Sequence, residues 1–281
     1  MKTSNKLLIA FAAALILIPI LCIAFVSRVY YEKGEYTSNM NETDSYGPEE
    51  TVSFPPNGSS ESITVQDKSG IHLIVAINRD GKSGLKVSNN LKGLVTIQTD
   101  ANGQLQILVK SSKEEIGNLG KLTISAPLVR MLNISGSKGL SLQAEVDSLN
   151  LNLSNIGSVE FKQQARLKYL ELTTTKVNDI SFAETNSLSA SLNLNNTNVR
   201  SDLSSFDNLV INSAGTSIIE LNGGDDGVSG KTINNFNINT LGKTDLKVLN
   251  MMINQCSGKF SDSTSVQMPA INLNQMYKVK K

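Results

Sequence analysis

From Leu132 onward the chain repeats one pattern about every 20 residues: an apolar pair, a polar bend and a second apolar group. The first pairs are Leu132/Ile134, Leu151/Leu153, Leu170/Leu172, Leu192/Leu194, Leu209/Ile211 and Phe236/Ile238. The second groups are Leu140/Leu142, Val159/Phe161, Ile180/Phe182, Val199/Leu203, Ile218/Leu221 and Leu246/Val248. Alternation within each pair is the strand period of two. Such a unit orders its whole backbone around a few aliphatic anchors, so it cannot fold alone and must bury those anchors against the next unit.

Stacked strands lie about 4.8 Å apart and satisfy one another's backbone groups, while their inward rows form a continuous apolar column. The repeat therefore predicts an all-β fold, a right-handed parallel β-helix or β-solenoid with coils of about 20 residues. A leucine-rich repeat has a similar step. It would require a consensus asparagine at a fixed place and a helical convex turn, whereas the second apolar group here alternates like a strand. The stretch "LNISGSKGLSL" reads as the first clear coil, with Leu132, Ile134, Leu140 and Leu142 inward and Gly136 to Gly139 forming the bend. No helix follows to make this bend a phosphate site.

Before the repeat, "SITV", "GIHLIVAI", "GLKV", "LVTIQT", "QLQILVK" and "KLTIS" read as strands separated by Gly, Asn, Asp and Ser turns, in an order the pattern does not reveal. Asparagine recurs beside the apolar pairs at 133, 150, 152, 193, 195, 212, 237, 239, 272 and 274. Alternation points most of these outward, where stacked amides can form hydrogen-bonded ladders or simply serve as soluble positions and turn formers.

The N-terminus carries a second constraint. Residues 7–26, "LLIAFAAALILIPILCIAFV", form an uncharged apolar run long enough to span a bilayer as a helix. Lys2 and Lys6 precede it, which places the amino terminus in the cytoplasm and the rest of the chain outside, although Arg28 and Lys33 oppose that bias. Pro19 is tolerated in such a span. The run predicts an uncleaved signal anchor, with a cleaved signal peptide as the alternative. Leu21 before Cys22 does not fit a lipoprotein box. The polar segment that follows has linker composition, and Tyr30 and Tyr31 fit either an interfacial or a plain linker role. The expected organisation is residues 1–27 as anchor or signal, 28–60 as flexible linker and 61–281 as the β-solenoid domain. That domain is expected to be membrane-anchored and exported, to the periplasm or the cell surface.

The strand succession "ITVQDKSGIHLIVAI", "LVTIQTDANGQLQILVK" and "KLTISAPLVRMLNISGSKGLSLQAEVDSLNLNLSNIGSVEF" resembles the head GIN domain family of bacterial auto-transporter adhesins. The most telling elements are a strand ending in Pro127–Leu128 and the L-x-I-S-G-S unit at Leu132 to Ser137. The resemblance covers roughly residues 60–225 and implies an exported β-solenoid with an adhesin role and no catalytic residues to carry across. Later bends such as "TTTKVND" lose the family's Gly-Ser, and the long apolar N-terminus also departs from it.

Chemistry is sparse. The formal charge of +1 has no long block of either sign, so no nucleic-acid footprint is expected. Aromatics are 5% and tryptophan is absent, which argues against sugar binding through stacked rings. His72 is the sole histidine and reads as an exposed strand residue, and Cys256 reads as a small buried hydrophobe. No nucleophile elbow, phosphate loop, H-E-x-x-H or C-x-x-C is present. Asp225 and Asp226 in "LNGGDDGVSG" are the weak metal candidates, as hard oxygen ligands for Ca²⁺, against a plain exposed turn. No cofactor is expected.

The expected function is a non-catalytic binding or adhesion module at the cell envelope. It would be held to the membrane by residues 7–26 and face an envelope polymer, a protein or another copy of itself. The alternatives are an envelope structural or regulatory scaffold and, further off, a polysaccharide-acting β-helix enzyme. The C-terminal "MYKVKK" is expected to cap the last coil or charge its edge.

Overall fold

The computed structural model describes residues 49–56, 58–79, 83–111, 118–162, 167–186, 188–224 and 230–277. Among these, nineteen strands join one hydrogen-bonded sheet, accompanied by one short 3₁₀ turn and one short α-helix. The fold is all-β, and most strand pairs are parallel. The segment 7–26, where the sequence predicts a membrane span, lies outside the described residues, as do Cys22, Asp225 and Asp226. Among the described residues no helix is long and apolar enough to cross a membrane.

Two parallel ladders organise the repeat. The first joins β8 (Met131–Ser135), the N-terminal half of β10 (Ser148–Phe161), that of β11 (Tyr169–Ala183), β12 (Leu188–Asn195), β14 (Phe206–Ala214), β16 (Thr232–Thr240) and β18 (Met252–Lys259). The second joins β9 (Gly139–Ala144), the C-terminal halves of β10 and β11, β13 (Asn198–Asp202), β15 (Ser217–Asn222), β17 (Thr244–Leu249) and β19 (Ser265–Gln267). Most inward positions of both ladders are buried aliphatics, and Phe161, Phe182 and Phe206 add an aromatic stack.

The register differs from the alignment expected from sequence. Leu132 pairs with Leu151 as expected, but Leu151 pairs with Leu172, and Leu149 with Leu170. The expected alignment is thus two residues out from β10 onward to β11, and again between β11 and β12, where Leu172 pairs with Leu192. A slip of two leaves every side chain on its own face, so the inward residues are still those the alternation marks. In the second ladder Leu203 and Ile218 do not point inward: they are 36% and 46% exposed, and the rows pass through Val199 and Ile219, then Ser201 and Leu221.

The reason lies at the corners. Between the two ladders five successive units turn on one left-handed residue: Gly136 at φ 90°, Asn155 at 54°, Lys176 at 56°, Asn196 at 52° and Gly215 at 78°. The Gly-Ser bend that the later units lack is thus replaced in geometry by Asn and Lys in the same conformation. At Gly136 a side chain is also excluded by space, since a Cβ there would lie 2.1 Å from the carbonyl oxygen of Asp67. A second corner follows the second ladder at Glu184, Leu203 and Asn250, with φ of 53°, 51° and 51°. Leu203 is therefore a corner residue. Left-handed backbone costs a branched L-residue about 1–2 kcal/mol, and glycine gives back about 0.5–1 kcal/mol in chain entropy. Leu203→Gly is expected to raise the unfolding free energy by about 0.5 kcal/mol. Urea unfolding checks this, and a loss of stability would show that the leucine side chain packs usefully.

The interior is not apolar throughout. Along the corner the inward row begins Ile134 and Leu153 and then mixes Thr174, Ser213 and Thr240 with Leu194. These hydroxyls bond one another or the backbone: Thr174 Oγ1 lies 2.9 Å from Thr197 Oγ1, and Ser213 Oγ donates to Ser217 Oγ at 3.0 Å.

The first part of the domain is stacked out of sequence. Strands β2 (Ser59–Asp67) and β3 (His72–Asn78) pair with β8 and β9 on one side, and with β6 (Gln104–Val109) and β7 (Leu119–Ser125) on the other, all parallel. The β6–β7 unit, though later in the chain, is therefore the outer one. Antiparallel strands finish that end: β5 (Val95–Thr99) on β6, β4 (Gly84–Ser88) on β7, and β1 (Glu49–Ser53) on β4. Residues 49–53 were expected to be linker, but Val52 and Phe54 are half-buried against the core and draw the segment into the sheet.

At the other end the helix α1 (Ala270–Tyr277) packs on β18. Asn272 and Asn274, expected in an outward strand ladder, lie on this helix instead.

Candidate binding face

The outward side of the first ladder carries three rows in register. One runs Ser148, Tyr169, Ser189, Asn208, Asn235, Gln255. The next begins Met131, Asn150, Glu171 and ends Asn237, Ser257, and the third runs from Asn133 and Asn152 through Thr173 to Asn193, Asn212 and Asn239.

Strand spacing brings equivalent amides within hydrogen-bond reach, and they use it. Asn152 Nδ2 donates to Asn133 Oδ1 at 2.8 Å, Asn212 to Asn193 at 3.0 Å, Asn239 to Asn212 at 3.1 Å, and Asn235 to Asn208 at 2.9 Å. The ladders admit other partners where the sequence changes: Asn208 Nδ2 donates to Ser189 Oγ at 3.1 Å, and Asn150 Nδ2 to Glu171 Oε2 at 3.2 Å. Each bond fixes which way the amide points, so this face presents oriented donors and acceptors with little side-chain freedom left to lose. In the described residues of these three rows the charged side chains are Glu171 and Lys259.

Three depressions lined by described residues lie on the face. The largest, 640 Å³, has β10, β11, β12 and β14 as its floor and the segments around Leu128 and Asp147 as its wall. Two others, of 550 and 310 Å³, follow the asparagine rows. At the wall, Asp147 Oδ2 accepts from Arg79 and its Oδ1 pairs with Lys168, each at 3.0 Å, and Arg130 pairs with Glu61 at 3.2 Å. Lys168, and secondarily Arg79, holds the Asp147 carboxyl below the usual carboxylate range.

The outward side of the second ladder is different in kind. Glu160, Arg200, Glu220 and Lys247 alternate in sign along one row, over a groove of 380 Å³ that reaches His72. His72 is half-buried rather than exposed, because its ring packs over Gly139, where a Cβ would lie 2.3 Å from Nδ1. Its Nε2 lies 2.8 Å from Ser141 Oγ, which donates to Glu160 Oε2 at 3.1 Å. Burial lowers the imidazole pKa, Glu160 opposes that shift and Lys162 adds to it. The serine sits between the imidazole and the acid and is itself buried, the reverse of the order in which a histidine activates a hydroxyl.

Among the described residues no three His, Cys, Asp or Glu side chains converge as a metal site. Cys256 is buried beneath Phe236 in the ladder, and burial pushes its thiol up to about 11. The groove residues Tyr169, Glu171 and Arg130 were not singled out from sequence. Their signal was Tyr169 itself, an aromatic at an outward position of the "KYLEL" strand.

No family model matches the chain, and no curated protein matches it. Solved structures similar to it include a "putative lipid binding protein" from Parabacteroides distasonis, 17% identical over 79% of this chain and 98% of that one, with a TM-score of 0.39. A "putative adhesin" from Parabacteroides merdae is 12% identical over 78% and 96%, with a TM-score of 0.37. A "putative cell adhesion protein" from Clostridium sporogenes is 14% identical over 73% and 99%, with a TM-score of 0.27. Likenesses this distant carry no functional argument.

Proposed function

We propose that the chain is a membrane-anchored, exported, right-handed parallel β-solenoid acting as a non-catalytic binding or adhesion module at the cell envelope. The observation that carries this is the amide face: oriented asparagine rows beside a groove of 640 Å³, on strands held rigidly in register. Ordered polar rows on a stiff scaffold suit recognition of a long partner, because little is lost in ordering them. The solenoid reading is supported by the paired ladders, and its hand follows the general rule for parallel crossovers. In this reading residues 7–26 supply the anchor and the following segment the spacer.

The test is attachment of cells that carry the full chain. Protease added to intact cells should remove the domain. Asn152→Lys combined with Asn212→Lys should cut attachment about tenfold while leaving the thermal midpoint within a few degrees. A domain protected in intact cells would overturn adhesion, and unchanged attachment in the double variant would overturn the amide face as the contact.

A further inference from the structure

Tyr169 is the one aromatic side chain in the described residues of the three outward rows, and it stands 60% exposed on the floor of the groove. Its register neighbours are Ser148 on one side and Ser189 on the other. Both are small, so the flanking strands do not cover the ring. Two residues further along the same strand and on the same face is Glu171, with the Asn150 amide held on its carboxylate. Across Ser189 lies Asn208, whose amide is fixed at both ends by Ser189 and Asn235. Arg79 and Arg130 stand at the wall with their charges met by Asp147 and Glu61.

We infer that this groove binds an uncharged glycan, with Tyr169 as the platform for one sugar ring and Glu171, Asn150 and Asn208 as its hydrogen-bonding partners. This rests on the binding-face reading and names its ligand class. A sugar offers an apolar C–H face and a rim of hydroxyls that each donate and accept, which calls for an exposed ring surrounded by fixed groups of both kinds. The low aromatic content does not exclude this, because a single uncovered ring at the right outward position provides the platform.

Other occupants fit less well. A polyanion would meet Glu171 on the floor, and the wall cations are already paired. An acyl chain needs an enclosed apolar volume, whereas the inward positions beneath the groove are filled by Leu149, Leu170 and Leu209. A peptide adding itself as a strand needs a free sheet edge, and the groove lies on a sheet face.

Native gels of the full chain containing hydroxyethylcellulose, laminarin or mannan test this, with polygalacturonate as the charged comparison. Expected are retarded migration in at least one neutral polymer, binding weakened about tenfold or more by Tyr169→Ala, and retention of binding in Tyr169→Phe. Free migration in all three neutral polymers, equal retardation by polygalacturonate, or a Tyr169→Ala variant that binds normally would overturn the glycan inference. Cell attachment that survives Tyr169→Ala but depends on Asn152 and Asn212 would discard the glycan and keep the binding face. Gel retardation without cell attachment would discard adhesion alone.

Discussion

Phe182→Ala is expected to lower the unfolding free energy by about 3–5 kcal/mol. Phe182 is 1% exposed, its ring stacks on Phe161 at a centroid distance of 4.5 Å and 11°, and it meets Phe206 edge-on at 6.0 Å and 84°. In a stacked array each unit is stabilised mainly by its two neighbours. The alanine therefore removes two interfaces at once and leaves a cavity the size of a phenyl ring, which the strand spacing prevents from closing. Phe182→Leu keeps most of the volume and should cost less than half as much. Urea unfolding gives the energies, and amide exchange should show lost protection in β10 and β13 as well as β11. A loss below about 1 kcal/mol would mean that the aromatic stack is incidental to the array.

The inward residues were legible in sequence because strand alternation marks a face directly. Which residue sits opposite which was not, since a two-residue slip keeps every face intact: nothing in the pattern decides whether Leu170 faces Leu151 or Leu149. The stacking of β6 and β7 outside β2 and β3 was hidden for the same reason. Ile63 has Leu105 on one side and Leu132 on the other, and either neighbour would satisfy an apolar row. The corners misled in a different way. Leu203 is apolar, but its left-handed turn takes it off the inward row, and Ile218 stands outward beside the inward Ile219. The amide ladders were visible as a recurrence of asparagine, whereas the groove was not, because chain-averaged aromatic content says nothing about where one tyrosine stands. Asn272 misled because "INLN" alternates like a strand, while eight residues of helix carry too little periodicity to compete.

Removing the helix contacts with β18, by Asn272→Ala combined with Gln275→Ala, is expected to turn the chain into a self-associating one. β18 is the last strand of its ladder, with β16 as its strand partner. The helix occupies three of its backbone polar groups through side chains: Asn272 Nδ2 donates to the Ile253 carbonyl at 2.9 Å, Gln275 Nε2 donates to that of Asn254 at 3.1 Å, and Gln275 Oε1 accepts from the Cys256 N–H at 2.8 Å. Asn272 is only 2% exposed, so its bond to the Ile253 carbonyl is sheltered. Two side-chain amides thus stand in for the next strand. Without them the strand end offers unpaired N–H and C=O groups, each costing about 1–3 kcal/mol if left buried, and a second chain can satisfy them. The two ends of this ladder differ, since the far end is the antiparallel strand β5. Contact between unlike ends does not close on itself, so growth should be open-ended rather than stop at a dimer. Sedimentation velocity of the full chain should show a broad, concentration-dependent distribution for the double variant and a single species for the parent. Asn272→Asp, which replaces the donor by a charge facing a carbonyl, should act in the same direction. Identical sedimentation of parent and double variant, with the helix still present by circular dichroism, would show that the fit of the helix body and not its amides protects the edge.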